Sequence, residues 1–177
     1  MNISRFLRQV VLKILSFGAI FYVATLVAAN TSITQKNLET EVIINAPAAR
    51  VWQALTDFGA YPQWNPFIRE VTGVSSPGEK LTIQIHLGDR VMTIRPTILV
   101  IQPERELRWI GHLLIPGIFD GEHSFVIEPA GENRVRLIQR ETFNGLLVPF
   151  SGSLLGNTKR NFSMMNLALK ERVEQAN

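Results

Sequence analysis

Apolar and polar positions alternate along most of the chain, and changes in the period of that alternation mark its elements. Leu38 to Ala46, LETEVIINA, is β-branched and reads as a strand. In the adjoining PAARVWQALTD, Ala48, Val51, Trp52 and Leu55 recur at i, i+3, i+4 and i+7, and Pro47 suits a first helical position. FGAYPQWNPF ends that helix, because Gly59, Pro62 and Pro66 break any regular pattern. Six strand patterns follow: Phe67 to Val74, Lys80 to Leu87, Val91 to Ile101, Glu106 to Leu114, Gly121 to Glu128 and Arg134 to Phe143. The separators SSPGE, GDR, QPERE, PGIFD and PAGEN are turn-like and short, which favours antiparallel hairpins. Pro96 inside the third run predicts an edge or a bulge there.

After GLLVPFSGS the period becomes helical. Leu155, Phe162, Met165, Leu169 and Val173 form one apolar stripe, with Thr158 inside it and Lys159, Arg160, Lys170 and Arg172 elsewhere on the surface. A helix over Ser153 to Glu174 is ~33 Å long, enough to cross a whole sheet. A curved antiparallel sheet of six to seven strands wrapped around that helix would bury both apolar faces, an α+β arrangement.

The N-terminus has a different character. A basic start, Arg5, Arg8 and Lys13, leads into Ile14 to Ala29, which no charge interrupts. With Val10 to Leu12 added and Lys13 snorkelling, the stretch reaches ~30 Å of helix. Its two main readings are a retained transmembrane helix and a signal peptide cleaved after Val27-Ala28-Ala29, with a membrane-surface or core helix as the third. Both main readings carry the domain across the membrane, as a single-pass membrane protein or as a secreted or periplasmic one. The organisation is thus a hydrophobic segment at 1–30, a linker at 31–37 and one domain at 38–177, long enough to fold without disulfide or metal.

Composition narrows the function classes. Cysteine is absent, so thiol catalysis and disulfides are excluded. The high pI comes from the N-terminus, because beyond position 37 there are 14 basic against 15 acidic residues. No basic run or aromatic-basic stripe is present, so no nucleic-acid partner is expected. P-loop, dinucleotide and Gly-x-Ser-x-Gly motifs are missing, no cofactor is indicated, and three histidines of mismatched strand parity make no metal site.

Three stretches carry a family likeness: VIINAPAARVWQALTDFGAYPQWNPFI, GEHSFVIEP and RETFNGLLVPF. From about Glu39 to Glu174 the chain resembles the START-like (SRPBCC) superfamily of polyketide cyclases and lipid-transfer proteins. The resemblance implies a helix-grip fold with a deep, largely apolar cavity between sheet and long helix. It does not choose among that superfamily's functions.

Candidate site residues follow from strand parity. If Ile127 pairs with Val135, then His123 meets Gln139 and Gly121 meets Glu141, all on the face of Phe125 and Leu137. His123 and Glu141 are then diagonal neighbours in a polar patch on an apolar face. They are read as a ligand contact, as an acid–base dyad or as a structural hydrogen-bonded pair. Trp109, Phe125, Phe162 and Met165 are candidate walls shared between core and cavity, and Gly111 leaves room for a ligand or marks a bulge. Trp64 either plugs the gap between sheet and helix or forms a lip of the mouth. GLLVPF reads as buried packing, a gate or a bilayer-touching surface. The expected function is binding of an apolar small molecule or lipid, for transport or sequestration. The alternatives are a cyclase/dehydrase enzyme using the His–Glu pair, and a structural or stress protein with a filled cavity.

Overall fold

A computed structural model describes residues 35–87, 90–113 and 115–175 of this chain. The hydrophobic segment at 1–30 and residues 31–34 of the expected linker lie outside the described residues. Strand β1 (Gln35–Ile44) starts three residues before the expected domain boundary. Helix α1 (Ala48–Thr56) and the single turn α2 (Tyr61–Trp64) follow, with Pro47 standing just before α1 in extended conformation. Then come β2 (Ile68–Gly73), β3 (Leu81–Leu87), β4 (Arg90–Ile94), β5 (Thr97–Gln102), β6 (Glu106–Leu113), β7 (Phe119–Gly131) and β8 (Arg134–Asn144). The chain closes with α3 (Gly152–Gln175).

All pairing is antiparallel, in two curved sheets: β1-β8-β7-β6-β5 and β2-β3-β4. The expected strand Val91 to Ile101 is therefore two strands, which raises the strand number to eight. Proline cannot donate to a ladder, so pairing changes partner at Arg95-Pro96. The first half pairs with β3 and the second with β6. The sheets stay joined at this corner, where Leu81 N–H donates to the Pro96 carbonyl at 2.9 Å and Lys80 bridges Thr97.

The long helix fulfils the apolar stripe. Leu155, Thr158, Phe162, Met165, Leu169 and Val173 are buried between the sheets, so α3 fills the grip of the fold. Its far end is tied to β1, because Lys170 Nζ donates to the Ile43 carbonyl at 2.8 Å and Asn45 N–H donates to Glu174 at 2.7 Å. The Lys170 ammonium and that N–H hold the Glu174 carboxyl below the usual range.

The YPQWNPF segment ends the helix and starts the next strand through side-chain hydrogen bonds. The last carbonyls of a helix lack intrahelical partners. The Leu55 carbonyl finds one in the Tyr61 hydroxyl, 2.6 Å away and fully buried, and that burial pushes the phenol well above its ordinary pKa. Asn65 Oδ1 then accepts from the N–H groups of Phe67 and Ile68, both at 2.9 Å, which launches β2. Tyr61→Phe strands a buried acceptor and is expected to cost about 1–3 kcal/mol. Urea titration should show a lower midpoint at unchanged slope, and a midpoint equal to that of the parent would count against this capping role.

Candidate functional site

The inward face of β6, β7 and β8 is laid out in rows of directly paired residues. Leu107, Phe125 and Gln139 form one row, and Trp109, His123 and Glu141 the next. Gly111, Gly121 and Phe143 form the third. The first two rows are filled with side chains. In the third, two glycines stand side by side, and the surface is hollow there.

That hollow belongs to a cavity of about 360 Å³. Across it lie Phe67, Ile85 and the β4 residues Met92, Thr93 and Ile94, with Arg95 at the corner. Leu154 and Thr158 of α3 cover it, and His112, Leu113 and Phe119 stand near its outer end. The cavity thus occupies the wedge where β4 turns away from β6. Its position follows from the change of partner at Pro96, and its depth from the two glycines.

Glu141 stands where the filled rows meet the hollow one. Its side chain is 15% exposed and lines the cavity. One carboxylate oxygen leans over Gly121, where a Cβ would come within 2.5 Å of it. The other lies 3.5 Å from His123 Nδ1, longer than a well-formed hydrogen bond. Behind it, the Gln139 amide nitrogen lies 3.0 Å from His123 Nε2. This contact ties the imidazole to Gln139 on the side of the ring away from Glu141. The ring is enclosed by Phe125, Phe162 and Trp109, with centroids 4.6, 4.7 and 5.1 Å away.

The structure thus brings His123, Gln139, Glu141, Trp109, Phe125, Phe162 and Met165 into one region, but it divides them. Glu141 lines the cavity, and the other six are buried behind it as packed core. Trp64 is elsewhere, half-buried edge-on to Tyr61 at 4.9 Å, with its indole nitrogen buried and unpartnered. His123 faces Glu141 directly rather than diagonally. The β7–β8 hairpin reaches two residues further than expected, because Gly131 adopts φ +135° beside a bulge. Gly111 pairs regularly with Gly121 and lines the cavity, so it marks space and no bulge. The walls from β4 and the start of α3 carried no chemical signal in the sequence, since their role depends on how two sheets meet.

A second depression, about 650 Å³, lies at the opposite end of β6 and is lined by Gln102, Glu104, Arg105, Glu106 and Glu128. Two of its three acids are already engaged: Glu106 pairs with Arg108, and Glu128 with Arg136. It is a groove among surface charges, with no candidate residue in it.

Residues 35–174 match the family described as polyketide cyclase/dehydrase and lipid transport. The chain belongs to that family. Among solved structures, the polyketide cyclase/dehydrase and lipid transport domain is similar to the Zhui aromatase/cyclase from Streptomyces sp. R1128. The TM-score is 0.67 and the identity 18%, over 80% of this chain and 94% of that one. A START superfamily protein from Mycobacterium smegmatis matches at TM-score 0.62 and 21% identity, over 80% and 99% of the two chains. Norcoclaurine synthase from Thalictrum flavum, in complex with dopamine and hydroxybenzaldehyde, matches at TM-score 0.63 and 12% identity, over 81% and 88%. These likenesses show the helix-grip fold. The chain has no match among curated proteins.

Proposed function

We propose that this member of the polyketide cyclase/dehydrase and lipid transport family binds an apolar small molecule in the wedge cavity, with Glu141 orienting it. The observation that carries this reading is the Glu141 carboxylate. It enters a largely apolar hollow, and among the described residues its one ion-pair contact is His123, at 3.5 Å. A carboxylate kept there with open acceptor positions suits a ligand that brings a donor, such as a hydroxyl or amine. The volume lies at the small end of the ~300–1,000 Å³ of ligand pockets, which favours a single ring system or a single chain.

Native mass spectrometry on the full chain, extracted from a membrane-rich lysate, tests the reading. A co-purifying apolar adduct is expected, and a bare mass under every extraction condition would sink the idea. Gly111→Leu should abolish the adduct without unfolding the domain. A Cβ there meets only Pro96, at an ordinary 3.9 Å, and the rest of the side chain would fill the hollow. Retained binding in that variant would place the ligand elsewhere.

The Glu141–His123 contact also supports a second reading, an enzyme of the cyclase/dehydrase type. Glu141 would move the proton, and His123, shut off from the cavity, would position the carboxylate. That reading predicts that Glu141→Gln keeps ligand bound while turnover of a supplied substrate stops.

A further inference from the structure

The end of the domain that holds the cavity mouth is bounded by two loops that run side by side. Leu146 and Leu147 N–H groups donate to the Gly117 and Ile118 carbonyls, at 3.2 and 3.0 Å. Gly145 makes the approach possible, since a Cβ there would lie 2.5 Å from the Ile118 oxygen. This pairing holds the loops' apolar side chains outward together. Ile115 and Leu146 are about two-thirds exposed, Leu147 is nearly half exposed, and Phe150 is 85% exposed. Leu113 and Leu154, which line the cavity, continue the same apolar surface. In GLLVPF only Val148 is buried, so burial does not explain the rest.

Two further observations say what meets this surface. The first is charge. From Thr142 to Lys170 there is no acidic residue, the one acid of the other loop, Asp120, is engaged by His112 and the Gly117 N–H, and Lys159 and Arg160 are exposed on α3 just beyond the rim. The second is where the chain arrives. Gln35, the first residue of β1, pairs with Asn144, immediately before the Gly145–Phe150 loop. The uncharged run Ile14 to Ala29 therefore ends six residues from the rim, at most ~20 Å of extended chain. A bilayer holding that run cannot be far from the mouth.

We propose that this end of the domain docks on a lipid bilayer. Ile115, Leu146, Leu147 and Phe150 enter the interface, Lys159 and Arg160 meet anionic headgroups, and the cavity opens toward the acyl chains. An apolar ligand would then pass between membrane and cavity without crossing water. The docking surface does not depend on what the cavity holds, so the two proposals can fail separately.

The chain has no cysteine, so single labels can be placed at will. Ile115→Cys, Leu146→Cys and Phe150→Cys report on the rim, and Glu104→Cys and Glu132→Cys on the opposite end. Each full-length variant carries a polarity-sensitive fluorophore and is reconstituted into vesicles of phosphatidylcholine and phosphatidylglycerol. A lipid-borne quencher should act several-fold more strongly at the rim than at positions 104 and 132, and aqueous iodide should show the reverse. Equal iodide quenching at both ends would overturn the docking. So would rim labels shielded from both quenchers, since protein would then cover the surface, either residues 1–34 or a second copy. Phe150→Asp leaves the core untouched and should restore iodide quenching of a label at position 146. Its unchanged mass adduct would show that cavity and docking are separate.

Discussion

Replacing Glu141 by leucine is expected to weaken binding of a hydroxyl-bearing apolar ligand by about 10- to 150-fold. That range corresponds to the roughly 1.5–3 kcal/mol of a hydrogen bond to a charged group. A matched ligand without the donor should change by no more than a few-fold, since for it only the lining apolar surface counts. The stability of the domain itself should change little, because the lost 3.5 Å contact to His123 and the relieved desolvation of the carboxylate act in opposite directions. Among the described residues the Glu141 side chain has no closer polar contact than that one and sits mostly out of water, so its removal relieves a desolvation cost. Calorimetric titration with a long-chain alcohol and the corresponding alkane separates the cases. Equal weakening of both would mean that Glu141 shapes the cavity and does not contact the ligand.

Truncating Phe162 to alanine should act in the opposite way, on the fold and not on recognition. Phe162 is fully buried on α3, with its ring 5.8 Å from Phe67 and 4.7 Å from His123. It therefore joins the helix to both sheets. Loss of such a side chain typically costs about 3–5 kcal/mol, a large part of the stability of a domain this size. Chemical denaturation should show that loss. At temperatures where the variant remains folded, ligand affinity should stay within a few-fold of the parent, because the residue does not line the cavity. A variant of full stability that binds nothing would place Phe162 in the site after all.

The contrast between these two residues shows what was legible in the sequence. Both were candidates because they fall on inward faces, and the faces are as expected: Phe162 in the buried stripe of α3, Glu141 beside His123 on the inner side of β8. Side-chain alternation has a period of two, so the two-residue extension of the β7–β8 hairpin at Gly131 changed every partner and no face. Facing inward, however, is not the same as facing empty space. Which inward residues line the cavity depends on where β4 leaves β6, and one bend at Arg95-Pro96 decides that. The proline announced an irregularity but not that the strand would serve two sheets. Thr93, Leu154 and Thr158 became cavity walls through a tertiary event that no local pattern encodes.

The paired glycines at 111 and 121 give the cavity a one-way evolutionary tuning range. Glycine is the smallest residue, so any substitution at either position adds atoms and narrows what can enter. At Gly121 the added atoms would meet the Glu141 carboxylate first. Enlarging the hollow beside the glycines means cutting back walls such as Phe119 or Phe143, which pack on each other at 5.3 Å and also help support the rim loops. Drift toward stricter selectivity is thus a single conservative step, while drift toward promiscuity threatens the surface through which the molecule arrives.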